Sequence, residues 1–265
     1  EPNLLAHSRL AVWDMLCTAT MFIAAYAVWS WLKTPTLRRA IHAGAALGIS
    51  LISKYTALVL LPALLIGVVI HERYKESAEE TGLRFKERIM QISWGLGVTS
   101  LVVVLSYLPQ LNVTEYFRGL AQIYGPGIGP NVYLTYLLGQ VYDHPLKSYY
   151  LFTFLMKTPL PLIIAFLLAL TFRNRCSLQN KDWLFILAPV ILMFAAAAFD
   201  PYNICNRRIL PVYPFVILCA SQIVNLNSRP LVRRVLPGLL AAWMMIAAVH
   251  TYPHHISYFN EAAGG

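Results

Sequence analysis

The chain has 265 residues, of which 58% are hydrophobic and only 12% charged, and its mean hydropathy is +0.57. That is about half the charge of a soluble domain, so the composition excludes a water-soluble globular fold and predicts an all-α, polytopic transmembrane helical bundle. The net charge of +9 is no nucleic-acid footprint, because basic loops are expected on the cytoplasmic face of a membrane.

Apolar runs place helices near 13–32, 38–53, 56–71, 90–109, 149–170, 183–199, 209–224 and 233–250, about eight membrane helices in all. The second and third are short and separated only by Lys54-Tyr55, as in a tight hairpin. The mixed-charge connector at 72–89 reads as a solvated amphipathic helix. The long loop at 110–148 holds the turn-rich breaker from Gly125 to Pro130, an aromatic segment around Tyr133, Tyr136 and Tyr142, and then Asp143-His144-Pro145. Loops of that length are uncommon unless functional. Cys17, Cys176, Cys205 and Cys219 show no CxxC spacing and imply neither a disulfide framework nor a zinc site.

Eight crossings put both termini on one side. The opposite side carries Lys33, Arg38 and Arg39; Arg73, Lys75, Arg84, Lys86 and Arg88; Arg173, Arg175 and Lys181; and Arg229, Arg233 and Arg234, fourteen of the 21 Lys and Arg residues. The excess makes that side cytoplasmic. The termini, the long loop and the segment 200–214 then face a periplasm or a lumen.

That segment, Asp200 to Pro214, is the most informative stretch. It sets Asp200, Arg207 and Arg208 between two long apolar runs. Ionisable groups at a membrane helix end mark a functional site unless they merely anchor to headgroups. Adjacent arginines also suit a phosphate, through rigid multi-donor forks.

Four motifs, in order along nearly the whole chain, carry a family resemblance. They are Pro2-Asn3 to Leu10 with Asp14; Gly44 to Lys54-Tyr55; His144-Pro145 through Lys157-Thr158-Pro159-Leu160-Pro161; and Asn206-Arg207-Arg208 to Pro214. Ile256 to Gly265, with Asn260-Glu261, fits as a fifth. The chain resembles the GT-C-fold, polyprenyl-phosphate-sugar-dependent glycosyltransferases, the superfamily of protein O-mannosyltransferases and lipid A aminoarabinose transferases. The resemblance implies an inverting membrane enzyme moving a sugar from a polyprenyl-phosphate or dolichyl-phosphate donor to a lipid, glycan or protein acceptor. Its partners would be that donor, the bilayer and the acceptor, with no nucleic acid. Its home would be a bacterial inner (plasma) membrane rather than endoplasmic reticulum. Relatives carry an essential acidic residue in a loop that would lie upstream of Glu1, so residues 1–265 read as one transferase-like domain, internal to a longer protein.

Such a transfer needs a base for the acceptor hydroxyl and cations for the phosphate leaving group. The resemblance implies donor-phosphate roles for Arg207, Arg208, Lys54 and Lys157, with Asp14 as a catalytic candidate. Each has a structural alternative: a capping or ion-pairing Asp14, a snorkelling Lys54, a kinked helix at Lys157, interfacial anchors at Arg207 and Arg208. His144 is a candidate ligand for the divalent metal some relatives hold, or a solvated loop residue. A transporter or flippase of a lipid-linked saccharide is the alternative of another class. It would show inverted repeats and helices interrupted at midplane; the sequence has no internal repeat and gathers its polar residues at one face. A fragment made inactive by lacking its base is a third reading.

Overall fold

The long apolar runs become helices because lipid leaves no other partner for their backbone groups. In the computed structural model, which describes residues 1–73, 81–110, 112, 114–124, 134–200, 202–226 and 230–264, short α1 (Pro2–Ser8) precedes α2 (Asp14–Lys33) and α3 (Leu37–Ser53). A 3-10 turn at Tyr55–Val59 leads into α4 (Leu60–Arg73), followed by α5 (Thr81–Tyr107) and α6 (Thr114–Tyr124). The second half holds α7 (Tyr149–Lys157), α8 (Leu160–Thr171), α9 (Asn180–Ala198), α10 (Val212–Ser221) and α11 (Pro230–His250). A helix therefore stands at every position where apolar length calls for one. The breaker from Gly125 to Pro130 and Tyr133 lie outside the described residues. So do residues 74–80 of the 72–89 connector, whose described part from Thr81 is the start of α5.

The count of eight crossings is corrected. Among the described residues four helical segments are long and apolar enough to span, at Asp14–Lys33, Tyr55–Arg73, Lys86–Tyr107 and Asn180–Ala198. A fifth arises if α7 and α8 are one broken span, bent by 110°. The reasons are local. α3 has 17 residues and opens with Arg38 and Arg39. Pro159 cannot continue α7 and starts α8 instead. α10 has only 10 residues, and α11 carries Arg233, Arg234 and Pro237 in its first half.

Three elements were not anticipated: α1, α6, which lies inside the segment read as the 110–148 loop, and a hairpin. Thr135–Leu137 and Gln140–Tyr142 form a small antiparallel hairpin, β1 and β2. Leu138 and Gly139 both take positive φ, 51° and 82°, which a two-residue hairpin turn of matching twist requires. Leu lacks the Asn-Gly signature of such turns, so the sequence read as loop.

Small residues set the closest helix contact. A Cβ on Gly44 of α3 would lie 2.1 Å from the carbonyl oxygen of Gly95 on α5. Four residues on, a Cβ on Gly48 would lie 2.7 Å from Val102 Cβ. Thr99 Oγ1 bridges the seam by donating at 2.9 Å to Gly44 O and 3.0 Å to Gly95 O. In lipid such close packing replaces the hydrophobic drive between helices. Gly44→Val should therefore destabilise the bundle by about 1–3 kcal/mol, read as an earlier thermal transition in detergent. Gly97→Ala, where the added methyl meets nothing within 4 Å, should leave that transition unchanged or raise it. Equal behaviour of the two variants would refute the seam.

The ends of the bundle carry separate ion groups. At one end of α2, Asp182 is buried and accepts from Lys33 Nζ at 2.9 Å and from Trp29 Nε1 at 3.0 Å. Arg88 lies over the Trp31 ring beside Gln91. At the other end, roughly 30 Å away for a 20-residue helix, stand Asp14, Lys54 and Arg207.

Candidate functional site

Three segments converge on Asp14. It opens α2 and is 2% exposed. α3 ends at Ser53, and extended backbone at Lys54 turns the lysine back, so that its Nζ lies 2.5 Å from Asp14 Oδ1. From the far part of the chain, Arg207 Nε donates to Asp14 Oδ2 at 2.9 Å. Arg207 sits in the 3-10 turn Cys205–Ile209. That turn opens at Cys205 with φ 57°, a left-handed conformation uncommon for a residue other than glycine, and brings the arginine to Asp14 at the start of α2. Asn206 beneath it is 1% exposed and donates to Asn3 Oδ1 at 3.1 Å and Tyr213 Oη at 2.8 Å.

Both carboxylate oxygens of Asp14 are thus taken by cations, whereas the cations are not saturated. Among the described residues Asp14 is the one hydrogen-bond partner of Lys54 Nζ, and the two terminal nitrogens of Arg207 have none. The Arg207 side chain is 46% exposed and that of Lys54 26%. All three residues line a cavity of about 330 Å³. Its other walls are Trp13, the end of α3 and the tyrosines Tyr55, Tyr107 and Tyr116. One carboxylate and two cations leave one unit of positive charge there.

The other predicted residues are not in this cavity. Arg208 turns onto Asp200, whose carboxylate also accepts from Tyr202 N at 2.9 Å. Lys157 is buried, with Nζ donating to the carbonyls of Ile256 at 3.0 Å and Tyr258 at 3.2 Å and lying 4.4 Å from the centre of the Phe259 ring. His144 is exposed and bonds to Asp143 at 2.8 Å, and that bond holds the Asp143 carboxyl below the ordinary carboxylate range. No group of three or more His, Cys, Asp or Glu suited to a metal occurs among the described residues. Among the described residues His144 therefore has Asp143 beside it and belongs to no such group.

The break at Thr158-Pro159 leaves the carbonyls at the end of α7 without helical partners. Asn260 fills most of them: its Nδ2 donates to Leu155 O at 2.6 Å and Thr158 O at 2.8 Å, and its backbone N to Met156 O at 2.8 Å. Asn3 Nδ2 takes Lys157 O at 2.6 Å. Two asparagines from opposite ends of the chain thus cap one helix. Sequence reasoning quoted both motifs without this role; the pairing of a Lys-Thr-Pro break with isolated buried Asn was the available signal.

Residues 1–108 match the dolichyl-phosphate-mannose-protein mannosyltransferase family. This is the family expected from the motifs, and the match supports a membrane glycosyltransferase of the mannosyltransferase-like kind. No curated protein and no solved structure matches the chain. The mannosyltransferase match covers Asp14, Lys54, Tyr55 and Tyr107. Arg207 and Tyr116 lie beyond it and complete the same cavity.

Proposed function

We propose that the cavity holds the phosphate of a polyprenyl-phosphate or dolichyl-phosphate sugar, and that the chain works in sugar transfer from that lipid to an acceptor on the periplasmic or lumenal face. The observation that carries this reading is the pair of incompletely used cations, Lys54 and Arg207, held on one buried carboxylate at an end of the bundle. The mannosyltransferase match over residues 1–108 supports it.

The chemistry follows from the charges. The donor is a phosphodiester with one negative charge, which the cavity's single net positive charge neutralises. On transfer the acceptor oxygen bonds to the anomeric carbon with inversion. The bond from that carbon to the phosphate oxygen breaks, and its electron pair stays on the phosphate. The departing monoester gains a second negative charge, so Lys54 and Arg207 bind it more strongly as the bond breaks, which lowers the barrier. Asp14 is the positioning residue that converges the two cations. With both of its oxygens engaged, removal of the acceptor proton falls to a group outside this lining. Placement in a bacterial inner membrane belongs to the same reading.

The break in α7–α8 is the kind of feature a transporter places at its midplane. Here its carbonyls are taken by Asn260 and Asn3, which favours the enzyme. The test is transfer of labelled mannose from polyprenyl phosphate to acceptor by the intact protein in liposomes. Labelled polyprenyl phosphate should also photo-crosslink to the cavity lining. Crosslinking confined to other surfaces would overturn the reading.

A further inference from the structure

Three tyrosines from three separate elements line the cavity together with the cations. Tyr55 opens the 3-10 turn before α4, Tyr107 closes α5 and Tyr116 lies in the first turn of α6. Their rings are in contact: the centroids of Tyr55 and Tyr116 are 5.3 Å apart, and those of Tyr107 and Tyr116 are 5.8 Å apart at 80°. Tyr55 Oη donates to Tyr116 O at 3.1 Å. Gly119, one turn along α6, makes room for this: a Cβ there would lie 2.2 Å from Tyr55 Oη. The Tyr116 hydroxyl is buried, with no hydrogen-bond partner among the described residues. An orphaned buried hydroxyl is costly, and at a cavity wall it marks a place for a ligand's polar group.

An interfacial aromatic belt is the simpler explanation for tyrosines near a membrane surface. Belt residues are exposed, however, as Trp13 is at the cavity rim with 69% exposure, whereas Tyr116 is buried. The three tyrosines instead line the same cavity as Lys54 and Arg207. The isoprenoid is the other apolar candidate, but isoprene units make no use of hydroxyl groups. A sugar does: its ring has C–H faces that lie on aromatic rings and hydroxyls that pair with phenols. It is also joined directly to the phosphate, so a phosphate on the cations brings the ring to this wall.

We propose that Tyr55, Tyr107 and Tyr116 form the sugar-recognition wall of the donor pocket, receiving the ring of a polyprenyl-phosphate hexose, with the Tyr116 hydroxyl paired to one of its hydroxyls. The proposal rests on the donor reading above and adds to it what the pocket recognises beyond phosphate. Burial raises the Tyr116 phenol above its ordinary range, so it stays a neutral donor throughout the working pH range.

Two lipids separate the wall from the phosphate site: polyprenyl-phosphate mannose and the same polyprenyl phosphate without sugar. Binding of each to the intact protein in nanodiscs is measured for every variant. Tyr116→Ala should weaken the sugar-bearing lipid on the order of tenfold and leave the sugar-free lipid unchanged. Tyr116→Phe, which keeps the ring and the packing, should show a smaller loss of the same selective kind. Gly119→Val, which displaces Tyr55, should follow Tyr116→Ala. Equal weakening of both lipids by Tyr116→Phe and Gly119→Val would assign the wall to the isoprenoid or to packing and overturn the proposal. So would no weakening of either. Failure of the wild-type protein to bind either lipid is a different result: it refutes the donor reading and removes the wall's role with it.

Discussion

Arg207→Ala should lower sugar transfer from the polyprenyl-phosphate donor by about 30- to 1000-fold. That corresponds to about 2–4 kcal/mol of lost transition-state stabilisation from one charge-assisted phosphate contact. The fold should barely notice. Arg207 has its side chain 46% exposed and makes a single contact with Asp14, which keeps Lys54 at 2.5 Å. The loss should appear in binding of both sugar-bearing and sugar-free polyprenyl phosphate, because the arginine reads charge and not sugar. It should be larger in kcat/KM than in donor affinity, because the second phosphate charge develops only as the bond breaks. The measurement is transfer of labelled sugar in liposomes, with variant protein matched for amount and thermal transition. Near-wild-type transfer by a folded Arg207→Ala protein would return Arg207 to an interfacial anchor and leave Lys54 as the main cation.

The contrast between Arg207 and its neighbours shows how far the sequence could be read. Helix positions were legible because apolar length and lipid solvation determine them locally. The number of full crossings was not. It depends on a 110° bend at Pro159 and on helices that shorten where Arg233 or Arg38 intrude. The candidate site was half legible. Asp14, Lys54 and Arg207 are each a charge where an apolar run should have none, and such charges need partners. That reasoning cannot say which charge pairs with which. Lys157 met the same criterion as Lys54, yet its partners are two backbone carbonyls near the far end of the chain, and carbonyls have no sequence signature. The tyrosine wall was illegible for a related reason. Tyr55, Tyr107 and Tyr116 are ordinary membrane-interface residues until packing at Gly119 brings them together.

Arg208→Ala should act on the fold, where Arg207→Ala acts on the chemistry. The Asp200 side chain is 4% exposed and that of Arg208 15%. The guanidinium meets Asp200 through both Nε and a terminal nitrogen, and the carboxylate's other oxygen accepts from Tyr202 N at 2.9 Å. Truncating the arginine strands a buried carboxylate on one backbone bond, which costs about 3–5 kcal/mol for a buried pair. The thermal transition in detergent should fall on the order of 10 °C. The charge, and not the lost volume, is the cause, so Asp200→Asn combined with Arg208→Ala should recover much of the drop. Two adjacent arginines alike in sequence would then differ in kind: one holds substrate charge at an open cavity, the other neutralises a buried acid. If Arg208→Ala melts with the wild-type protein while transfer collapses, Arg208 leaves Asp200 for the donor phosphate during the reaction, and the two arginines act together as the sequence alone suggests.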